Sequence, residues 1–134
     1  MNTAILTVLA LFVVQTLLPA TFRYLLAGPG TGARLKIALG SRDEQPPLST
    51  LGARAERALN NMYEALPVFM AIALLLVVRG VDEGLAIQGA WVFLISRALY
   101  VPAYLAGMFG VRSAVWVAGW VGLVMMIVAL MRVA

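Results

Sequence analysis

The chain has no cysteine and no histidine among its 134 residues. Those absences exclude disulfides, thiol catalysis by the protein itself and the usual zinc or haem ligands. Any thiol chemistry must use a thiol carried in by a substrate, and no metal-ligand set is visible. Charge is also scarce. Only 12% of the residues are charged and 63% are hydrophobic, whereas a soluble domain has about a quarter of its residues charged. Ten lysines and arginines against six acids give a net charge of +4. The basic residues gather near one loop, which reads as membrane orientation and not as nucleic-acid binding. The length allows one compact unit.

What remains is apolar and periodic. Four runs, at about 4–26, 53–78, 85–108 and 113–133, are each long enough to cross a bilayer, which takes ~20 helical residues. No period-two alternation supports a barrel, so the backbone must be satisfied within helices. The first run has no positive n-region and no small-x-small cleavage site, and reads as a span, not a signal peptide. The long connection, 27–50, contains Gly28-Pro29-Gly30, Pro46-Pro47, Arg34, Lys36 and Arg42. The next two, 79–84 and 109–112, are short, and the last contains Gly110. Short links imply antiparallel neighbours. The expected fold is an all-α membrane protein, a four-transmembrane-helix up-down bundle forming a single domain. The positive-inside rule puts the loop 27–50 in the cytoplasm and both termini on the opposite side. Asp43, Glu44, Asp82 and Glu83 read as solvated loop charges.

Span two opens with Arg54, Arg57, Asn61 and Glu64, spaced three, four and three residues apart. On a helix that spacing makes one stripe. Charges beside a membrane span are costly and usually face a bundle interior or a wet cavity. A stripe of cations, an amide and an acid suits a small zwitterion. Ser49 or Thr50 is the expected N-cap. A helix from 51 to 78 is ~42 Å long, more than the ~30 Å hydrocarbon core, so its first turns project beyond the lipid. Span three carries a second stripe, Arg97, Tyr100 and Tyr104, at the corresponding depth. The two stripes predict one polar pocket between helices. The alternative is an ion pair of Glu64 with Arg97 or Arg57 that only locks the bundle.

These residues resemble a known family. Arg57-x-x-x-Asn61-x-x-Glu64-x-x-Pro67, then Arg97-x-x-Tyr100-x-x-x-Tyr104, then Arg112-Ser113 looks like the MAPEG superfamily, the membrane-associated proteins in eicosanoid and glutathione metabolism, and in particular its microsomal glutathione transferases. The likeness runs through all four spans in order. It implies a homotrimer with glutathione bound between subunits as co-substrate. It assigns Arg57, Asn61, Glu64, Arg97, Tyr100, Tyr104 and Ser113 to glutathione binding and Arg112 to the thiol. The absence of signs of eukaryotic elaboration suggests a bacterial member in the inner membrane, and the expected role is detoxification. Two features depart from the pattern. Tyr104 and Arg112 are eight residues apart, and Ala65 stands where some members have tyrosine. Arg23, Arg34 or Lys36 is expected to complete the site.

The chemistry agrees with the resemblance. Arginine forks suit the two carboxylates of glutathione, Glu64 its ammonium, and Asn61 and the tyrosine hydroxyls its peptide units. A permanent cation lowers the pKa of a thiol from its usual ~8.5. The second substrate is expected to be a hydrophobic electrophile or lipid arriving from the membrane. Two rival readings stand beside this one: a trimeric lipid- or glutathione-binding protein without turnover, and a small proton-coupled exporter. Trp91, Trp116 and Trp120 read as interfacial anchors or packing residues, and Gly119 and Gly122 as sites of close helix approach.

Overall fold

Runs of leucine, valine, alanine and methionine longer than a soluble helix can bury fold here as helices. The computed structural model describes residues 1–26, 31–41 and 47–132. In chain order the elements are α1 (Asn2–Ala20), a π-turn continuing it (Thr21–Leu25), α2 (Thr31–Leu39), α3 (Thr50–Val78), α4 (Gly84–Leu105) and α5 (Phe109–Met131). Among the described residues there is no strand. Four helices are long and apolar enough to span a bilayer: α1 with its π-turn, α3, α4 and α5. The protein is an all-α integral membrane protein.

Local chemistry explains where the helices begin and end. Ser49 caps α3, its hydroxyl accepting from the Gly52 amide at 3.1 Å, which satisfies one of the donors left free at a helix start. With 29 residues, α3 is about 44 Å long at 1.5 Å per residue. Pro19 removes an amide near the end of α1, and the chain then widens into the π-turn. There the Thr21 hydroxyl donates to the Leu17 carbonyl at 2.8 Å, which also accepts the Thr21 amide.

Two features differ from the sequence reading. The connection 27–50 contains α2, nine residues long; its run of alanine, leucine and lysine favours helix between the flanking glycines and prolines. The turn between α4 and α5 occupies 106–108, with Gly107 at φ 74°. Gly110, where the sequence places that turn, lies inside α5. Gly28, Pro29, Gly30, Arg42, Asp43, Glu44 and Pro46 lie outside the described residues.

Small residues bring α4 and α5 together most closely. A Cβ built on Gly122 would lie 2.6 Å from the Gly89 carbonyl oxygen and 2.7 Å from the Phe93 amide nitrogen. Both obstacles are backbone, so neither helix can move aside cheaply. Without a hydrophobic drive between helices in lipid, this close approach supplies the packing. Facing the pair, α3 buries Ala58, Met62, Ala65, Phe69, Ala73 and Leu76. Phe69 stacks on Phe93 with ring centroids 4.7 Å apart. Ala4 and Val8 of α1 complete the core.

Candidate functional site

The inward face of α3 is made of small and apolar side chains, and its polar stripe runs along the border of that face. Ala58, Met62 and Ala65 are buried, Asn61 is half-buried, and Arg57 and Glu64 are exposed. Across from the stripe stands Arg97 of α4, with only 2% of its surface accessible. Its Nη1 donates to Asn61 Oδ1 at 2.6 Å. The guanidinium carbon lies 5.1 Å from the Phe93 ring centroid and 5.9 Å from that of Tyr100. These contacts offset part of the cost of burying a cation. They leave the buried Nε and Nη2 without a hydrogen-bond partner among the described residues.

Room for this side chain comes from α5. A Cβ at Gly119 would lie 2.7 Å from Arg97 Nη2 and 2.8 Å from Ser96 Oγ. Gly119 is thus the floor under the buried guanidinium.

A second layer surrounds Tyr104, about two turns beyond Arg97 along α4. The guanidinium carbon of Arg112 is 4.7 Å from the Tyr104 ring centroid, and that of Arg57 is 5.8 Å from it. Tyr100 meets Tyr104 edge-on at 5.5 Å. Arg112 also lies 5.4 Å from the Phe109 ring centroid. Tyr100, Arg112 and Ser113 line one cavity of about 380 Å³ with Trp116 and Val117. One end of it is cationic and phenolic, and the other is apolar.

Of the residues singled out by sequence, the structure brings six into one cluster: Arg57, Asn61, Arg97, Tyr100, Tyr104 and Arg112. Glu64 stands exposed beside them. It pairs with neither Arg57 nor Arg97 among the described residues, and Arg97 is bonded to Asn61 instead. The bundle-locking ion pair considered from sequence is absent. The Ser113 hydroxyl donates to the Phe109 carbonyl of its own helix at 3.2 Å. Arg54 turns away from the cluster to the Leu105 carbonyl, 2.7 Å from its Nη1. Arg23 lies elsewhere, in a groove between α1 and α3. Lys36 is exposed on α2, and the side chain of Arg34 lies outside the described residues.

The cluster therefore holds three guanidinium groups around two tyrosines, with the exposed Glu64 beside it. Guanidinium groups without acid partners are ready donors for an anion. Residues 2–132 match the sequence model of the MAPEG family. The chain belongs to the MAPEG family. No curated protein and no solved structure matches it. As a MAPEG protein it is a membrane protein of glutathione or eicosanoid metabolism.

Two parts of this cluster are not legible in the sequence of this MAPEG protein. The sequence around Gly119 predicts close helix packing, and nothing in it names Arg97 as the group it admits. Trp116 and Val117 were not joined to the site. Trp116 is four residues from Arg112 and Val117 four from Ser113, and that spacing is the available signal, since residues four apart share a helix face.

Proposed function

We propose that this MAPEG protein is a glutathione-dependent membrane transferase that activates the glutathione thiolate for attack on an apolar electrophile, by conjugation or peroxide reduction. The observation that carries the reading is the convergence of Arg57, Arg97 and Arg112 on Tyr100 and Tyr104, with none of the three paired to a carboxylate among the described residues. Glutathione has two carboxylates, one ammonium and a thiol. The donor set fits it, because guanidinium groups lacking acid partners match carboxylates and the exposed Glu64 matches the ammonium.

Each residue then has a distinct task. Arg57, exposed at the rim, takes a carboxylate. Asn61 has its oxygen engaged by Arg97, so its amide nitrogen is left to donate to a peptide carbonyl. Arg97 is too buried to be a first point of contact. It fixes the orientation of Asn61 and adds positive potential behind it. Tyr100 and Tyr104 offer hydroxyls to the tripeptide. Arg112 stays charged at any working pH and holds the sulfur in its ionised form. Glutathione, when bound, supplies the nucleophilic sulfur. Ser113 helps shape the cavity wall, and Trp116 and Val117 receive the apolar partner from the lipid.

A homotrimer completes this reading. Arg57 and Glu64 are exposed at a depth where lipid is a poor neighbour. A second polar surface, a groove of about 300 Å³ with Arg23, Glu56, Asn60 and Tyr63 in its walls, lies between α1 and α3. Two different polar faces on one bundle suit a head-to-tail ring, in which each covers the other on the next copy. The long connection is assigned to the cytoplasm by its cations.

The decisive experiment is calorimetric titration of glutathione into the purified protein, followed by a thiolate absorbance scan and crosslinking in mild detergent. Binding with a thiolate band and three linked chains is expected. Absence of binding removes the transferase reading. Binding without a thiolate band, and without turnover of any electrophile, turns the protein into a non-catalytic binder.

A further inference from the structure

Arg54 sits one helical turn before Arg57 and does not join the cluster. Its Nη1 donates to the Leu105 carbonyl at 2.7 Å. Leu105 is the last residue of α4, and the final carbonyls of a helix have no amide of their own helix to meet. A guanidinium there also faces the negative end of the helix dipole. The contact extends onto the turn. A Cβ built on Gly107 would lie 3.1–3.2 Å from three atoms of the Arg54 guanidinium, so the group is laid against the backbone that reverses the chain.

What this turn connects gives the contact its interest. Tyr104 immediately precedes the carbonyl that Arg54 holds. On the other side, the Arg112 amide donates to the Met108 carbonyl at 2.9 Å, the last residue before α5. The two sides of the Arg112–Tyr104 contact, 4.7 Å from guanidinium carbon to ring centroid, therefore flank one short piece of backbone anchored from α3. We infer that Arg54 is a positioning residue: by clamping the α4–α5 turn it sets Arg112 against Tyr104, and through them the activation of the substrate thiol. The clamp stands on geometry alone; its catalytic consequence rests on the transferase reading above.

Arg54 has a plainer possible role as a helix cap that adds stability and nothing more, and the two roles part in experiment. The comparison uses full-length wild type, Arg54→Gln and Arg54→Lys in detergent. In the ligand-free proteins, amide hydrogen exchange over 106–112 should be about tenfold faster in Arg54→Gln than in wild type, since local opening governs exchange. With glutathione, KM should stay within about twofold while kcat falls about tenfold, in line with the rate cost of displacing a positioning group by a fraction of an ångström. The pH at which the bound thiol ionises should rise, and Arg54→Lys should recover most of both effects. If Arg54→Gln does not fold, Arg54→Met, which keeps an unbranched stem but removes the donors and the charge, takes the same readouts. Unchanged exchange over 106–112 overturns the clamp. Faster exchange with an unmoved thiol titration and kcat overturns the positioning role. If wild type neither binds nor ionises glutathione, it is the transferase reading that fails, and the exchange data alone decide the clamp.

Discussion

Asn61 Oδ1 and Arg97 Nη1 stand 2.6 Å apart, and this bond is where the polar stripes of α3 and α4 meet. It links a half-buried amide to a buried cation with no acid in contact. Asn61 thereby becomes the neutral partner of a charge that would otherwise have only aromatic rings around it.

Replacing Asn61 alone should therefore be costly. A hydrogen bond to a charged group contributes about 1.5–3 kcal/mol, so Asn61→Ala should lower stability by that amount in thermal unfolding. The double variant Asn61→Leu with Arg97→Met should lose less than the two single changes added together, because removing both partners leaves no orphaned charge. Additive losses would show that the bond carries no coupling.

The glycine floor gives a paired test. Gly119→Ala puts a methyl carbon 2.7 Å from Arg97 Nη2, so it should displace the guanidinium and reduce both melting temperature and glutathione affinity. Gly110→Ala on the same helix meets nothing within 4 Å. It should be neutral or stabilising by up to about 1 kcal/mol, the helical preference for alanine over glycine. Equal effects of the two substitutions would refute the spatial argument.

Arg57 is at the exposed rim, 5.8 Å from the Tyr104 ring centroid. Arg57→Ala should leave the fold intact. It should weaken glutathione binding about tenfold or more, the equivalent of one charge-assisted hydrogen bond. Calorimetry on the folded variant checks this, and unchanged affinity would take Arg57 out of the site.

Arg112 separates anchoring from catalysis. If it holds the thiolate, losing its charge favours the protonated thiol. The pKa of bound glutathione should rise, and activity should shift to higher pH while much of the binding remains. Arg112→Lys should restore charge but not the planar fork, and rescue only part of the shift. Superimposable thiolate titrations for wild type, Arg112→Ala and Arg112→Lys would eliminate this role.

The stripes were legible because polar residues in apolar runs are expensive, and three- and four-residue spacings put them on one face. Which residues touch was not legible. Spacing places Asn61 and Glu64 on the same stripe, but only the rotation of α3 against α4 turns Asn61 inward and leaves Glu64 outside. Gly107 and Gly110 are equally plausible turn residues on paper. The backbone adopts positive φ at Gly107, and Arg54 reaches that turn from a distant part of the sequence. The nine residues of α2 were hidden by the glycines and prolines on either side.

The Gly89–Gly122 crossing has a consequence for how the chain enters the membrane. Of the four spans, α4 is the least apolar and α5 the most, and α4 carries Arg97, which is poorly tolerated by lipid on its own. Interlocked backbone to backbone with α5, however, α4 presents that charge to protein on one side. The pair is thus suited to integrate as a helical hairpin, with α5 escorting α4 out of the translocation channel. A chain truncated after Leu105 should integrate α4 poorly, and one extended through α5 should integrate it well, as a glycosylation-tag insertion assay would read out. Equal integration of the two chains would count against the hairpin as the unit of biogenesis.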